Sequence, residues 1–398
     1  MVVLSNHTVL IIADDLTGAA DSTTAFARQG FRTRVIADVS NWSHADIANY
    51  DVVAFNTGTR NLPQSESTGI VVSLARQLAA LNPRLILKKI DSTFRGQVLP
   101  ETLAILNELG LERTVIISAH PSQKRTVSKG GIFVDGIPLR DTSFARQPSP
   151  PPRDIPSAVR DAFDDVLIFN GLSTDKLPEN PPAGVYLPDV SQEEDLTRIA
   201  RWIIAQGNRI LPVGSAGLAH AFARFLVPPI RARKKPQKTA SSGRKTLLIV
   251  IGSTQPEISG QIQMLKSTRQ GVVVVEAANG NLSEEDIASL DQSIIVMRIV
   301  RGTTVVTRRE AASNLAETTH HLMDRLPIAH LVTVGGDTSW SILDRLGIAG
   351  FDIAAQDLVG FPRGETMYNG HPLTYIAKPA AFSKSSIFAS MADELLPR

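Results

Sequence analysis

The chain predicts an α/β protein of two domains, each with a mostly parallel sheet flanked by helices, and a ligand cleft between them. Three observations lead there. Short continuous apolar runs alternate with amphipathic stretches, which is how strands covered by helices on both faces read. The length of 398 residues suits two domains and is ample for two hydrophobic cores. The alternation breaks once, at 228–245, where prolines and seven Lys or Arg residues occur without an acid and without a periodic apolar face.

Taken in order, Val9-Leu10-Ile11-Ile12-Ala13 is a buried strand, followed by Asp14-Asp15-Leu16-Thr17-Gly18 and a helix running to about Gln29, where Gly30 closes it. Strands are expected at 33–37, 52–55, 85–88, 114–117, 166–169 and 210–213, with helices at 67–81, 100–109 and 193–205. The prolines at 148–152 and 178–182 read as ordered loops or excursions. The basic linker 228–245 then separates an N-terminal domain, 1–227, from a C-terminal domain, 246–398. There the pattern resumes with strands at 247–251, 272–275, 294–297 and 331–334, a helix at 310–326, and a shorter one at 340–346.

Composition narrows the function classes. With no Cys, disulfides, thiolate metal sites and a cysteine nucleophile are excluded, and a reducing cytoplasm is the expected location. The first apolar run has no basic segment before it and stops at Asp14, which argues against a signal peptide, and no stretch has the ~18 apolar residues of a membrane span. A net charge of +2 gives no reason to expect nucleic acid. The basic run at 231–245 lacks interleaved aromatics and reads as a solvated connector; removing its seven charges leaves −5 on the remainder.

Chemistry concentrates where strands end. Asp14 and Asp15 follow the first strand, and in parallel sheets ligands bind beyond the carboxyl ends of the strands. One Asp, or Thr17, suits a helix N-cap. Two adjacent carboxylates repel unless a cation or a ligand hydroxyl answers one of them. Lys88-Lys89-Ile90-Asp91-Ser92-Thr93-Phe94-Arg95-Gly96 packs two amines, a guanidinium, a carboxylate and two hydroxyls at the next strand end. Such cations hold carboxylates or phosphates, and Asp91 is a candidate proton acceptor. Arg60, after the strand 52–55, adds a cation at the same edge, while His120 in its loop reads as solvated or structural. His320-His321 has no spaced partner, no metal-ligand spacing is found, and no residue is assigned as a metal ligand. In the second half, Gly252-Ser253-Thr254 and Gly335-Gly336-Asp337-Thr338-Ser339 are glycine-bearing turns of the kind that offer backbone N–H groups to anions. Neither a Walker loop nor a dinucleotide fingerprint is present.

Several segments together resemble the four-carbon acid sugar kinases. They are Ile12-Ala13-Asp14-Asp15-Leu16-Thr17-Gly18-Ala19, the run from Lys88 to Gly96, Arg125-Thr126 with Gly131 to Leu139, Val213 to Ala219, Ile251-Gly252-Ser253, Gly335 to Thr338, and Gly360-Phe361-Pro362. The resemblance runs in order along nearly the whole chain. It implies an N-terminal domain that binds a sugar acid such as threonate, erythronate or an oxo-tetronate, and a C-terminal domain that binds ATP with Mg²⁺. The phosphoryl group goes to the terminal 4-hydroxyl. Carried onto this chain, the substrate-binding residues are Asp14, Asp15, Arg60, Lys88, Lys89 and Ser92, with Asp91 catalytic. The nucleotide side is Ser253, Gly335, Gly336, Asp337, Thr338, Gly360 and Ala380. The implied partner is a small sugar acid, not nucleic acid or membrane, and a homodimer stays open.

Two departures stand out. Lys124 precedes Arg125 where the family commonly has Gly. Lys378-Pro379-Ala380-Ala381-Phe382-Ser383 stands where it usually carries Lys-x-Gly-x-Phe-Gly. Ala and Ser hinder the left-handed backbone or close phosphate approach that glycine permits. This change supports the alternative, a non-catalytic sugar-acid binding or sensor protein on a kinase scaffold.

Overall fold

Strands of five to seven mostly apolar and mostly buried residues organise the protein as parallel sheets with helices on either side. The structure is a computed structural model and describes residues 9–146, 151–228, 245–356, 358–379 and 384–396. Most of the predicted linker, and Ala380, lie outside the described residues. Contacts divide the chain into two units, Met1–Pro229 and Ile230–Arg398. No helix among the described residues is long and apolar enough to cross a membrane.

The first unit contains strands β1 (Val9–Ala13), β2 (Thr33–Ile36), β3 (Val52–Asn56), β4 (Ile86–Lys89), β5 (Arg113–Ile117), β6 (Arg125–Ser128), β7 (Gly131–Val134), β8 (Ile137–Pro138), β9 (Ile168–Leu172), β10 (Gly184–Pro188) and β11 (Leu211–Gly214). Its helices are α1 (Leu16–Arg28), α2 (His44–Ile47), α3 (Gln64–Ala79), α4 (Val98–Leu109), α5 (Ile155–Ala162), α6 (Glu193–Ala205) and α7 (Ala216–Phe225). The main sheet runs β2-β3-β1-β4-β11-β5-β10-β9, every pair parallel. All its carboxyl ends therefore lie on one edge. Val9 to Ala13 are fully buried at its centre, each large apolar side chain contributing roughly 1.5–3 kcal/mol. The strand pleat sends neighbouring side chains to opposite faces. Lys88 thus meets Glu101 of α4, and Lys89 faces the first turn of α1.

Between β5 and β9 the chain leaves the sheet to form the small antiparallel sheet β6-β7-β8. A bridge between His120 and Arg125 ties its base to the carboxyl edge. The strand expected at 166–169 forms two residues later, as β9. The short β10, after the prolines at 178–182, carries no warning in the apolar pattern.

The second unit contains β12 (Thr246–Ile251), α8 (Glu257–Thr268), β13 (Val272–Ala278), α9 (Glu284–Ala288), β14 (Ile294–Val300), α10 (Arg308–Arg325), β15 (Ile328–Val334), α11 (Gly336–Arg345), β16 (Gly350–Ile353), β17 (Gly364–Tyr368), β18 (His371–Lys378) and α12 (Ile387–Leu395). Strands β13-β14-β12-β15-β18 are parallel, and β17 and β16 extend them antiparallel. Packing on one face joins β12, β14, β15 and β18 to α8 and α12. The helix expected at 340–346 starts four residues earlier. Gly335 alone takes the turn, at φ 109°, and Gly336 is already helical.

A buried ion pair and a half-buried histidine give stability tests. The Lys88 and Glu101 side chains are 0% and 1% exposed with 2.5 Å between Nζ and Oε2. Replacing Glu101→Leu alone leaves a buried ammonium unanswered and should cost about 3–5 kcal/mol in urea unfolding, whereas Lys88→Met with Glu101→Leu should recover most of that loss. In β15, burial and the Arg363 charge push His330 down to about 4. An unfolded histidine titrates near ~6.5, so between these values the unfolded chain holds the extra proton and stability falls with falling pH. His330→Gln should flatten the decline of the thermal midpoint between about pH 6.5 and pH 4.

Candidate functional site

At the carboxyl edge of the first unit, three loops converge. The first follows β1. Asp15 caps α1, its Oδ1 accepting from the Gly18 amide at 3.0 Å, and its Oδ2 accepts from the Thr17 hydroxyl. Capping thus uses one Asp and leaves Asp14 unexplained. The second loop, a 3₁₀ turn after β3, supplies Arg60, whose backbone amide bonds the Asp14 carbonyl at 3.2 Å. The Arg60 guanidinium donates from Nε and Nη2 to the two Asp14 oxygens, both at 2.8 Å, and from Nη2 to Asp15 Oδ1 at 2.8 Å. The adjacent carboxylates are answered by this one fork. Burial works to raise the Asp14 pKa, but Arg60, with Lys88 and Lys89 behind it, holds it below the ordinary value.

The third loop follows β4. Asp91 Oδ2 accepts from the Thr93 amide at 3.0 Å and from the Thr93 hydroxyl. Arg95 then folds back on it, with Nε to Oδ2 at 2.8 Å and Nη2 to Oδ1 at 2.7 Å. Buried Phe94 stands at φ 62°, a left-handed conformation that bulky residues avoid. Arg60 Nη1 lies 3.9 Å from Asp91 Oδ1, so the first and third loops share a cation. Burial would raise the Asp91 pKa, yet Arg95, Arg60 and the Thr93 hydroxyl together drive it far below the carboxylate range. Ser92 is half-buried, and its hydroxyl has no hydrogen-bond partner among the described residues.

Of the residues expected on the substrate side, Asp14, Asp15, Arg60 and Asp91 form one connected cluster. Lys89 lies against it: its Nζ donates to the Ile90 carbonyl at 2.8 Å and sits 2.7 Å from where a Gly18 side chain would begin. Lys88 does not join them, being turned to the other face and paired with Glu101. Arg95 and Thr93, from the same run as Asp91, join the cluster without having been assigned to the substrate side, and Thr17, offered as a cap, instead bonds Asp15. Arg125, buried at the base of the small sheet, also feels the Asp91 charge. His120 is 3% exposed and edge-on to His220 at 5.3 Å. Burial and His220 push its pKa down to about 4, so it is neutral near pH 7.

In the second unit, Ser253 and Gly335 to Thr338 meet at the ends of β12 and β15. A side chain at Gly252 would begin 1.9 Å from Thr338 Oγ1, so the β12 turn and the first turn of α11 are in direct contact. Beneath the turn, buried hydroxyls link Thr333 to Ser339 at 2.8 Å and to Tyr375 at 2.9 Å, and Ser339 donates to the Gly335 carbonyl at 2.7 Å. The Gly335 amide donates to the Lys378 carbonyl at 3.0 Å, adding β18 to the group. Gly360 occupies the turn closed by Leu358 and Phe361, ahead of β17. Burial pulls Lys378 down to about 8, with Nζ donating to the Pro379 carbonyl at 3.0 Å. Among the described residues, no group of three or more His, Asp or Glu side chains is placed to hold a metal ion.

Comparison with known proteins agrees with this division. Residues 9–222 match the family model for a sugar-binding N-terminal domain, and 248–382 that for a nucleotide-binding C-terminal domain. A D-threonate kinase of Salmonella typhimurium is 28% identical, across 95% of this chain and 96% of its own. A D-erythronate kinase of Heliobacterium modesticaldum is 24% identical (98% and 97%), and a 3-oxo-tetronate kinase of Methylobacterium radiotolerans 23% (96% and 98%). Solved proteins of Salmonella typhimurium LT2 and Haemophilus influenzae share the fold, with TM-scores of 0.75 and 0.73 at 20% identity. They cover 98% and 97% of this chain, and 99% and 100% of their own. With both domain models matched in order, the chain belongs to the four-carbon acid sugar kinase family.

Proposed function

We propose that the protein transfers the γ-phosphoryl group of ATP to the terminal 4-hydroxyl of a four-carbon sugar acid: threonate, erythronate or an oxo-tetronate. The observation that carries this reading is the cluster of Asp14, Asp15 and Asp91 with Arg60, Arg95 and Lys89 at one sheet edge. Carboxylates there suit hydroxyl groups, and cations suit the acid. Asp14, Asp15 and Ser92 take the substrate hydroxyls. Lys89 and the arginines take its carboxylate, and Lys88 supports β4 from within.

The nucleotide belongs to the second unit. Gly335 makes the turn, the backbone amides of Gly336 to Thr338 open α11, and Ser253 lies at the adjoining strand end; these amides and this hydroxyl suit phosphate oxygens. Gly360 and Ala380 complete the expected set. Magnesium bound with ATP keeps several waters and needs only one or two protein oxygens, which Asp337 and Thr338 can offer; it neutralises phosphate charge. In the transfer, the 4-hydroxyl oxygen bonds to the γ-phosphorus, the bond to the β,γ-bridging oxygen breaks, and ADP leaves with that electron pair. The hydroxyl proton passes to Asp91.

An ADP-release screen over threonate, erythronate and 3-oxo-tetronate tests the reading. Turnover with at least one is expected. Tetronate binding without ADP release would favour the sensor reading that the lost glycines at 380 and 383 suggest. Asp91→Asn should lower kcat by about 10²–10⁴, and a near-normal kcat would remove its role as base. Gly336→Leu should weaken ATP binding at least tenfold in calorimetry while tetronate binding holds.

A further inference from the structure

We propose that the indole of Trp340 is a stacking platform for the purine base of the nucleotide, which runs from the Gly335 turn along the flank of α11 that faces away from α10. This rests on the kinase reading above and adds to it where the base end of ATP lies and which side chain holds it.

The chain has three tryptophans, and two of them are packed. Trp42 meets Phe55 with ring centroids 4.9 Å apart. Trp202 lies 5.3 Å from Tyr186, and its Nε1 donates to the Pro178 carbonyl at 2.7 Å. Trp340 does neither. It is 40% exposed, its ring meets no aromatic or cationic partner among the described residues, and its Nε1 has no hydrogen-bond partner among them. An indole left in this way has a flat apolar face to offer, and every nucleotide base has a face that can stack on it.

The place of Trp340 on α11 selects the ligand. It follows Gly336 by one helical turn, so the two share a side of the helix, about 6 Å apart along its axis. Helical side chains lean toward the amino end, which brings the indole back beside the amides of Gly336 to Thr338. A ribose spans about 6–7 Å between the α-phosphorus and the base, which matches that offset. Neighbouring elements fix the flank. Arg345 pairs with Glu317 of α10, and Trp340 lies about 140° round the helix from Arg345. Since α10 joins β14 to β15 and α11 joins β15 to β16, the flank away from α10 is the side of β18 and β17. The Gly335 amide bonds the Lys378 carbonyl at the end of β18. Gly364 of antiparallel β17 stands opposite Tyr375, so the Gly360 turn just before β17 is at that same edge. A side chain at Gly360 would meet nothing within 4 Å, which leaves open space at that turn. A base held on Trp340 also gives the nucleotide a grip that does not depend on the glycines missing at 380 and 383.

The test compares ATP with inorganic tripolyphosphate, which carries the phosphates without a base, on the full chain with Mg²⁺ present. Calorimetry reads affinity, and tryptophan emission reads the stack. In the wild type, ATP should bind more tightly than tripolyphosphate and quench the emission, whereas tripolyphosphate should leave it unchanged. Trp340→Ala should weaken ATP by about fivefold or more, as the loss of one base stack does. It should also remove the quench and keep tripolyphosphate affinity within about twofold. Trp340→Phe should recover most of the ATP affinity without the quench. ATP affinity within twofold of the wild type in Trp340→Ala overturns the platform; if that variant changes oligomeric state instead, the ring belongs to a contact between copies. Equal losses of ATP and tripolyphosphate in both variants also overturn it and make Trp340 a structural residue. In each of these cases ATP binding by the wild type leaves the nucleotide reading standing. If the wild type binds neither ATP nor tripolyphosphate, that reading fails and the platform fails with it.

Discussion

Arg60 reaches from the turn after β3 to the head of α1 and binds Asp14 twice and Asp15 once. Without it, two carboxylates adjacent in sequence would face one another at the end of a fully buried strand. With it, the end of β1, the turn after β3 and, through the 3.9 Å contact to Asp91, the loop after β4 become one charged surface. The parallel sheet makes this geometry available, because three consecutive strand ends lie on the same edge. The guanidinium makes it permanent, since its planar fork satisfies carboxylate oxygens in pairs, as an ammonium cannot.

The second unit solves a related problem with neutral groups. Thr333, Ser339 and Tyr375 share buried hydroxyl bonds under the Gly335 turn, and each bond answers a polar atom that burial would otherwise penalise. Oriented amides and a helix start provide the anion-facing character. The first unit thus handles opposite charges with side chains, while the second presents backbone, and each choice suits the ligand proposed for it.

Much of this is legible in the sequence because strand ends advertise themselves. A continuous apolar run followed by Asp-Asp or Asp-Ser-Thr can only end in polar chemistry at a parallel sheet's edge, and the order of motifs carried the family resemblance. What could not be read was direction. Lys88 and Lys89 are equivalent in the text of the chain, but the pleat turns one to Glu101 and the other to α1. Only the register of β4 against its helices decides which. Likewise, Arg95 sits four residues from Asp91, and nothing local says that a left-handed Phe94 folds it back. The early start of α11 was missed because two glycines in succession look like loop. A single φ at Gly335 suffices to turn the chain, leaving Gly336 for the helix.

The contact between Gly252 and Thr338 carries a consequence for descent. The 1.9 Å spacing leaves no room for even a methyl group at 252 while threonine, in this rotamer, stands at 338. Two positions far apart in the chain are therefore inherited as one character. A lineage that gains a side chain at the first must trim or turn the second, and until it does, both strand ends are pushed apart. Correlated substitution at this pair across relatives is the historical trace that such a fit would leave.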